Sequence, residues 1–561
     1  MSLSRVPRCL AAAGLLALAV AFPARAHGGL VRSIPEAGAV LAVSPPEILL
    51  DFSEALDPAA TKVELLDVNG QVQVPGPGVI DPDEPKTLRL AIPPLPDGVY
   101  SAVWRARSAV DGHVTSGSVG FSIGAASPPA SLLPPPGTPD PATAVPAIPE
   151  TLIRWLAYLS AVLAVGSLTF GFLIWRPVFR QADPGEAVEA ALRRRIRTLA
   201  GLGLAGLAGA SLLFVMFQAA QARELPIWGA LRIPPADLFS GRVGLIMGLR
   251  LLLTLALGAF VLRLPSPARS PAWMSWLILL LCGALILTFS LQGHGAAQGS
   301  LPGVIIIWLH LAATIVWLGG LPILFLALRQ PDVPASQLVP RFSTAALVSV
   351  AALAGTGLYN GITYAGSVEA LLATTYGRSL IVKTALFALL LTLGAVNLLY
   401  LSPRLQQTNS RARTGLGRTV PLEMAIGAAL LLAVGLLSAV FPAFEALQAS
   451  RAEGIIETAR VDDVDILLRV APGQAGDNEF GVEFSDPRPG AADVEPQVLL
   501  RLASAEMDMG VQQVETQTTD GRRYTARGSY FPMAGPWEVE VILRRPGFND
   551  VRQTFALEIP G

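Results

Sequence analysis

The chain has 561 residues, of which 52% are hydrophobic and only 15% are charged. Its mean hydropathy of +0.52 argues against an ordinary soluble protein, whose surface must be covered by polar groups. The 41 basic and 42 acidic residues give a net charge of −1, so charge gives no indication of a nucleic-acid partner. The length is sufficient for several domains.

Residues 1–26 predict a cleaved signal peptide. Arg5 and Arg8 form a positive start, residues 9–22 an apolar run, and Ala24-Arg25-Ala26 an A-x-A cleavage pattern. An uncleaved membrane anchor is the alternative, although the apolar run is short for a span. Cleavage after the pattern makes His27 the N-terminus of the mature chain.

Residues 27–124 predict a small β domain. Strand-like runs at 48–52, 62–66 and 99–104 are separated by turns rich in Pro, Gly and Asp. This spacing favours an antiparallel sandwich or barrel. Residues 125–150 are dominated by Pro, Ala and Ser, which predicts a semi-stiff linker.

Eight apolar stretches are long enough to cross a bilayer, which predicts a membrane domain over 151–445. Arginine is much more frequent in the loops on one side of these stretches, and the positive-inside rule makes that side cytoplasmic. We therefore expect a multi-pass protein of the bacterial cytoplasmic (inner) membrane with both terminal domains outside the cytoplasm. The stretches lie at 155–175, 199–219, 243–262, 273–291, 303–325, 343–363, 380–400 and 421–441.

Soft-metal ligands are scarce, with two Cys, four His and eight Met in the chain. After cleavage, the amine and imidazole of His27 could join the side chains of Asp111 and His113 in a set of N and O donors that suits tetragonal Cu(II). Gly112 would permit an unusual backbone angle in this turn. By spacing alone the signal is weak, because a DGH sequence is more often just an ordinary turn. The first domain contains no Met after Met1, so a thioether Cu(I) site is not expected there.

A longer pattern surrounds these candidate ligands: SIPEAG at 33–38, PPEILLDFSE at 45–54 and SAVDGHVTSG at 108–117, together with Tyr100 and Trp104. In this pattern, residues 27–124 resemble the CopC family of periplasmic copper-binding proteins. The resemblance implies an Ig-like β-sandwich with a Cu(II) site at His27, Asp111 and His113. Family members that also bind Cu(I) carry a Met-rich loop, which this sequence lacks.

Polar residues inside membrane spans are costly to bury, so they are candidates for function. His310 lies inside the fifth stretch, and His294 lies just outside it. Arg250 and Lys383 are equally explained as cations that pack helices or reach the interface, and the methionines as apolar filler. The candidates for a transport path are His294, His310, Met216, Met247, Lys383, Asn397 and Glu423.

Several of these candidates belong to a pattern of short motifs: WLGG at 317–320 after His310, GLYN at 357–360, and TYGRSL at 375–380 before Lys383. Together with Asn397 and Glu423, these motifs make residues 150–445 resemble the CopD family of copper-resistance membrane proteins. The resemblance implies that the membrane domain moves copper inward across the inner membrane.

Residues 450–561 predict a second extracytoplasmic β domain, with strand-like runs at 466–470, 480–484 and 537–541. Met507, Met509 and Met533 could form a weak Cu(I) site, because thioethers favour Cu(I); packing inside a sandwich is the alternative. The runs EMDMG at 506–510 and GPW at 535–537 resemble the YtkA-like domain, another Ig-like fold often attached to copper proteins. The domain contains no His, which weighs against a strong metal site.

The three parts together predict a non-enzymatic, single-chain copper importer whose ligand is Cu(II) in the first domain and possible Cu(I) elsewhere. Expected partners are copper ions, the lipid membrane and periplasmic copper chaperones, with no nucleic acid. One alternative is extracytoplasmic copper sequestration for resistance without transport. A haem-based electron carrier is less favoured, because haem normally needs paired axial ligands and only His310 lies clearly within a span.

Overall fold

The computed structural model divides the chain into two compact units. One comprises the described residues of 108–113 and 143–444, and the other those of 27–107, 114–142 and 445–561. The structure describes residues 30–35, 39–52, 54–58, 60–67, 71–76, 78–109, 112, 114–124, 145–223, 225–263, 266, 269–293, 296, 300–405, 410–440, 442–443, 446–447, 454–462, 464–471, 473–485, 496–507, 509–518 and 523–559.

The N-terminal β domain has nine described strands. They are β1 (Leu30–Ile34), β2 (Ala39–Leu41), β3 (Glu47–Phe52), β4 (Lys62–Asp67), β5 (Val72–Val74), β6 (Val79–Ile80), β7 (Thr87–Ala91), β8 (Gly98–Arg107) and β9 (Val114–Ile123). One sheet has the order β1-β3-β7-β6 and the other β2-β9-β8-β4-β5. Each of the three predicted strand-like runs lies within one of these strands.

The two sheets of this domain enclose one apolar core. In β3, buried residues alternate with partly exposed ones, which is the period expected when one face of a strand is buried. Ile48 and Leu50 of one sheet pack in the same core as Leu65 of the other. The rings of Phe52 and Trp104 also meet edge to face, with their centroids 5.0 Å apart. The domain is therefore a β-sandwich, as predicted.

The C-terminal β domain has the same layered construction. Its strands are β10 (Ile455–Val461), β11 (Val464–Ala471), β12 (Gly476–Ser485), β13 (Gln497–Ser504), β14 (Gln512–Glu515), β15 (Gln517–Thr518), β16 (Arg523–Phe531), β17 (Gly535–Arg544) and β18 (Val551–Ile559). They form sheets of order β10-β11-β12-β16-β15 and β14-β13-β17-β18. Phe480 and Phe531 of the first sheet pack in one core with Trp537 of the second.

Eight helices in the described part of the chain are long and apolar enough to cross a membrane, which confirms the predicted number. The first helix begins at Ile148, slightly before the predicted end of the linker, because Pro149 is tolerated in the first turn. The helices are α1 (Ile148–Ala182), α2 (Glu186–Ala222), α3 (Gly241–Leu262), α4 (Ala272–Ser290), α5 (Leu301–Leu328), α6 (Ala335–Ala365), α7 (Thr375–Arg404) and α8 (Ser410–Leu437).

In the described part of the chain, three shorter helical segments connect these spans, and two spans contain π-helical turns. The connecting segments are Ile227–Arg232, Pro235–Leu238 and Val368–Ala373. The π-helical turns are Phe170–Trp175 in α1 and Asn397–Leu401 in α7.

The centre of the membrane domain is α1. In its apolar window 78% of the residues are buried, against 11% in α7. Two glycines allow α1 and α5 to approach closely: a Cβ atom on Gly319 would lie 2.3 Å from the carbonyl oxygen of Val162 and 2.6 Å from Cα of Gly166. Small residues commonly permit such close contact between membrane helices. The contact explains why the WLGG motif of α5 contains glycine at position 319.

Candidate functional site

His310 on α5 is held by a hydroxyl group on α6. Its Nδ1 atom lies 2.8 Å from Oγ1 of Thr356. The single proton of that hydroxyl is donated to the carbonyl oxygen of Ala352, at 2.6 Å. If the hydroxyl proton is used in that bond, Thr356 accepts from His310 and Nδ1 carries the imidazole proton. The lone pair of the neutral ring is then on Nε2, where a metal ion can bind.

His310 and Lys383 line one cavity of about 60 Å³, here named the His310 cavity. Its other walls are mainly apolar, with Tyr158 on α1 and Phe289 on α4 among them. The cavity therefore contains one imidazole and one lysine amine. On the adjacent helix, an added Cβ at Gly357 would lie 3.9 Å from Cε1 of His310, so the GLYN motif begins beside the imidazole.

Asn397 and Glu423 form a second polar pair, between α7 and α8. Nδ2 of Asn397 donates to Oε1 of Glu423 over 2.9 Å, and Oγ1 of Thr419 donates to Oδ1 of Asn397 over 2.7 Å. Glu423 is only 3% exposed. Asn397 begins the π-helical turn of α7, and such turns often occur at functional positions. The two residues thus belong to one hydrogen-bonded group.

The two candidate methionines of the path lie elsewhere in the domain. Met247 is fully buried in an apolar cluster with Phe214 and Val243. Met216 packs against a separate small cluster that includes Ala219 and Ala220. Both environments match the alternative interpretation of these residues as apolar filler.

The predicted Cu(II) ligands His27, Asp111 and His113 lie outside the described residues, and so does His294. Gly112 is described, and its φ of 81° lies in the left-handed region that favours glycine, as the turn predicts. Within the described residues, no group of three or more His, Cys, Asp or Glu side chains is arranged to hold a metal ion.

The three methionines of the C-terminal domain lie on neighbouring loops. β13 pairs with β17 so that Ser504 is opposite Trp537. Met507 and Met509 follow the end of β13, and Met533 precedes β17. Their exposed fractions are 46%, 45% and 36%, respectively. The alternative that these side chains pack inside the sandwich is therefore wrong.

Sequence reasoning missed the residues that organise the candidate site. Thr356 directly precedes the GLYN motif, but a threonine in a membrane helix is common and gives no signal by itself. Tyr158 lines the cavity from α1, more than 150 positions before His310 in the chain. Neither residue could be selected without the tertiary contacts.

Three family models match the chain. The CopC domain matches residues 30–124, the N-terminal domain of copper resistance protein D-like proteins matches 145–304, and copper resistance protein D matches 336–437. The chain therefore belongs to the family of copper resistance proteins that combine a CopC domain with a CopD membrane domain. It is a multi-pass membrane protein of copper resistance or transport, and not an enzyme.

Individual relatives agree with this assignment. Copper transport protein CutJ of Bacillus subtilis (strain 168) is 29% identical over 474 residues, which cover 82% of this chain and 82% of the relative. Copper resistance protein C of Escherichia coli is 35% identical over 118 residues, which cover 20% of this chain and 91% of the relative. The crystal structure of CopC from Methylosinus trichosporium OB3b is 32% identical and covers 17% of this chain and 93% of that chain, with a TM-score of 0.17. The predicted CopC and CopD resemblances are confirmed, whereas the YtkA-like resemblance stays a prediction.

Proposed function

We propose that this chain imports copper. Cu(II) is captured outside the cytoplasmic membrane by His27, Asp111 and His113, and copper then passes inward through the membrane domain. The position of His310 in an apolar cavity, with Nδ1 held 2.8 Å from Oγ1 of Thr356, is the observation that carries the second step. Family membership supports the copper specificity, and the arginine-rich loops support the orientation.

His310 has the arrangement expected of a metal ligand in a membrane. An imidazole that binds a metal through one nitrogen usually donates its other N–H to a fixed acceptor, which sets the tautomer and the ring orientation. Thr356 provides that acceptor at 2.8 Å. In the apolar surroundings of the cavity, the imidazole can replace part of the hydration that an entering copper ion loses.

Lys383 suits a site through which the ion passes. The ammonium lines the same cavity as His310, and no ion pair or hydrogen bond of Lys383 is found among the described residues. Its positive charge repels a copper cation and so lowers the affinity of the cavity. Transport requires binding that is strong enough for entry and weak enough for release. Asn397 and Glu423 then offer oxygen ligands at a second position of the path.

A transport assay on the full-length protein tests this proposal. Wild type and His310→Ala are reconstituted in proteoliposomes, and copper accumulation and the Cu(II) spectrum are measured on the same samples. His310→Ala should lose accumulation and keep the Cu(II) spectrum. His113→Ala should lose the spectrum, and a His294 variant should be impaired mainly at low copper, where delivery limits uptake.

Leu309→Ala is the matched control, because Leu309 is an exposed neighbour on the same helix. It should accumulate copper as wild type does. Normal accumulation by a well-folded His310→Ala protein would contradict the path and favour sequestration outside the membrane without transport.

The exposed methionines support a weak Cu(I) site in the C-terminal domain. Met507, Met509 and Met533 present thioethers from two adjacent loops, and thioethers prefer Cu(I) to Cu(II). Titration of the full chain with Cu(I), before and after replacement of all three residues by leucine, tests the site. An unchanged number of bound Cu(I) ions would rule it out.

A further inference from the structure

A second cavity of the membrane domain, here named the Arg250 cavity, has a volume of about 70 Å³. Its polar lining comes from α1, α2 and α3 and from residues that follow α4 and α8. The side chains used below are Arg154, Tyr158, Ser211, Arg250, Phe289 and Gln292.

Arg250 is a buried cation without a carboxylate partner among the described residues. It is only 4% exposed. Nε donates to Oγ1 of Thr288 at 2.9 Å, and one terminal nitrogen donates to the carbonyl oxygen of Thr288 at 3.0 Å and to Oε1 of Gln292 at 2.7 Å. The guanidinium also lies over the ring of Phe289, 3.7 Å from its centroid. All these partners are neutral, so none compensates the charge.

The second arginine of the cavity does not change this balance. Arg154 donates from Nε at 3.0 Å and from a terminal nitrogen at 2.8 Å to the same carboxylate oxygen of Glu150. The charge of Arg154 is thereby neutralised by its own ion pair. When Glu150 is counted with the two arginines of the lining, a net charge of +1 remains, and it lies on Arg250.

The cavity also offers unused hydrogen-bond donors. Nε2 of Gln292 is buried and has no hydrogen-bond partner in the described structure. The remaining terminal nitrogen of Arg250 has one contact, a weak one of 3.7 Å to the sulfur of Met247. The hydroxyl proton of Ser211 is donated to the carbonyl oxygen of Leu207 at 2.7 Å, so this group is already satisfied as a donor.

We propose that the Arg250 cavity binds a monovalent inorganic anion such as chloride. A buried charge is stable only when it is paired. A single anion would neutralise the charge of Arg250 and would accept hydrogen bonds from the unused donors of Arg250 and Gln292. The volume exceeds the roughly 10–15 Å³ that one water requires, so a small anion can enter. This inference rests on the buried guanidinium and is independent of copper transport.

The experiment measures halide-dependent stability of the full-length protein in nanodiscs without copper. The melting temperature is compared in sodium chloride and sodium gluconate at equal ionic strength. Chloride should raise the melting temperature of wild type by about 2 °C, because a ligand that binds only the folded state stabilises it. Arg250→Gln should remove this shift. Arg242→Gln, which changes an arginine of the same helix outside the cavity lining, should keep it.

Gln292→Glu keeps the test decisive if Arg250→Gln does not fold. It places a permanent carboxylate where Arg250 already donates at 2.7 Å. The variant should melt in gluconate at the temperature of wild type in chloride, and chloride should add nothing. A bromide-soaked crystal should show an anomalous peak within hydrogen-bond distance of Arg250. A wild-type melting temperature that is equal in both salts, a shift that both cavity variants retain, or a cavity that holds only water would overturn the proposal.

Discussion

The two cavities of the membrane domain have common walls but opposite chemistry. Tyr158 and Phe289 line both of them. The Arg250 cavity presents N–H donors around an unpaired positive charge, and these attract an anion. The His310 cavity presents an imidazole within apolar walls, beside the amine of Lys383, and an imidazole nitrogen can bind a metal ion. Both lie among equally apolar helices, so hydrogen bonding of individual side chains, and not hydrophobicity, sets which ion each can hold.

The difference also suggests why the cavities are adjacent. An anion near Arg250 would lower the cost of a copper cation on the other side of Tyr158 and Phe289, since opposite charges attract strongly where little water screens them. A substitution that displaces α1 should affect both cavities, because α1 lines both of them. A substitution in the His310 cavity alone should affect copper uptake and leave the chloride effect unchanged.

Gly319→Ala should have the largest effect. The new methyl group would lie 2.3 Å from the carbonyl oxygen of Val162, so α1 and α5 must separate. Overpacking of this kind costs about 1–3 kcal/mol and would displace α1, which contributes to both cavities. The melting temperature, the chloride shift and copper uptake should all fall. Gly361→Ala is the control, since a Cβ atom there meets nothing within 4 Å. Equal behaviour of the two variants would show that the close helix contact is unimportant.

Thr356→Val should impair only the His310 cavity. The substitution keeps the shape of the side chain but removes the acceptor for Nδ1 of His310, so the imidazole loses its fixed tautomer. Loss of such an outer partner typically costs about 10–100-fold in metal affinity or activity. Copper uptake should fall within this range, Thr356→Ser should restore it, and the chloride shift should stay unchanged. Normal uptake by Thr356→Val would remove the support for His310 as a ligand.

Lys383→Met should have the smallest effect. It should strengthen copper binding in the His310 cavity, whereas Thr356→Val should weaken it. Without the ammonium, copper should enter the His310 cavity more readily and leave it more slowly. We expect the KM for uptake to fall by about tenfold, with a lower maximal rate, because one tenfold step corresponds to about 1.4 kcal/mol of removed repulsion. Thr384→Val, on an exposed position of the same helix, is the control. A raised KM would instead make Lys383 a residue that assists copper entry.

Periodicity predicted much of the architecture. The strand-like run at 48–52 predicts a strand, and it lies within β3, where Ile48, Leu50 and Phe52 are the buried residues. Apolar length predicts the eight helices, because a bilayer of fixed thickness requires about 20 residues per span. These features depend on residues that are close together in the chain, so they can be predicted from the sequence.

The contacts between polar side chains could not be predicted from the sequence. His310 and Lys383 are both visible as costly residues inside apolar runs, but their shared cavity depends on how α5 and α7 pack around α1. Arg250 finds Thr288 and Gln292 across the α3–α4 contact. Met247, a transport candidate by residue type, lies in an apolar cluster with its sulfur 3.7 Å from a terminal nitrogen of Arg250. Residue type indicates which chemistry a side chain can perform, whereas its neighbours determine whether that chemistry is available.

The sequence by itself determined the class of this protein: its two β domains, its eight membrane helices and the CopC and CopD motifs that make it a copper resistance protein. The tertiary structure decided the contact of His310 with Thr356, the partnership of Asn397 with Glu423 and the neutral hydrogen-bond partners of Arg250. The physical reason is the range of the interactions. Strand and helix periods are local, while a buried hydrogen bond or an unpaired charge depends on groups that only folding brings within a few ångströms of each other.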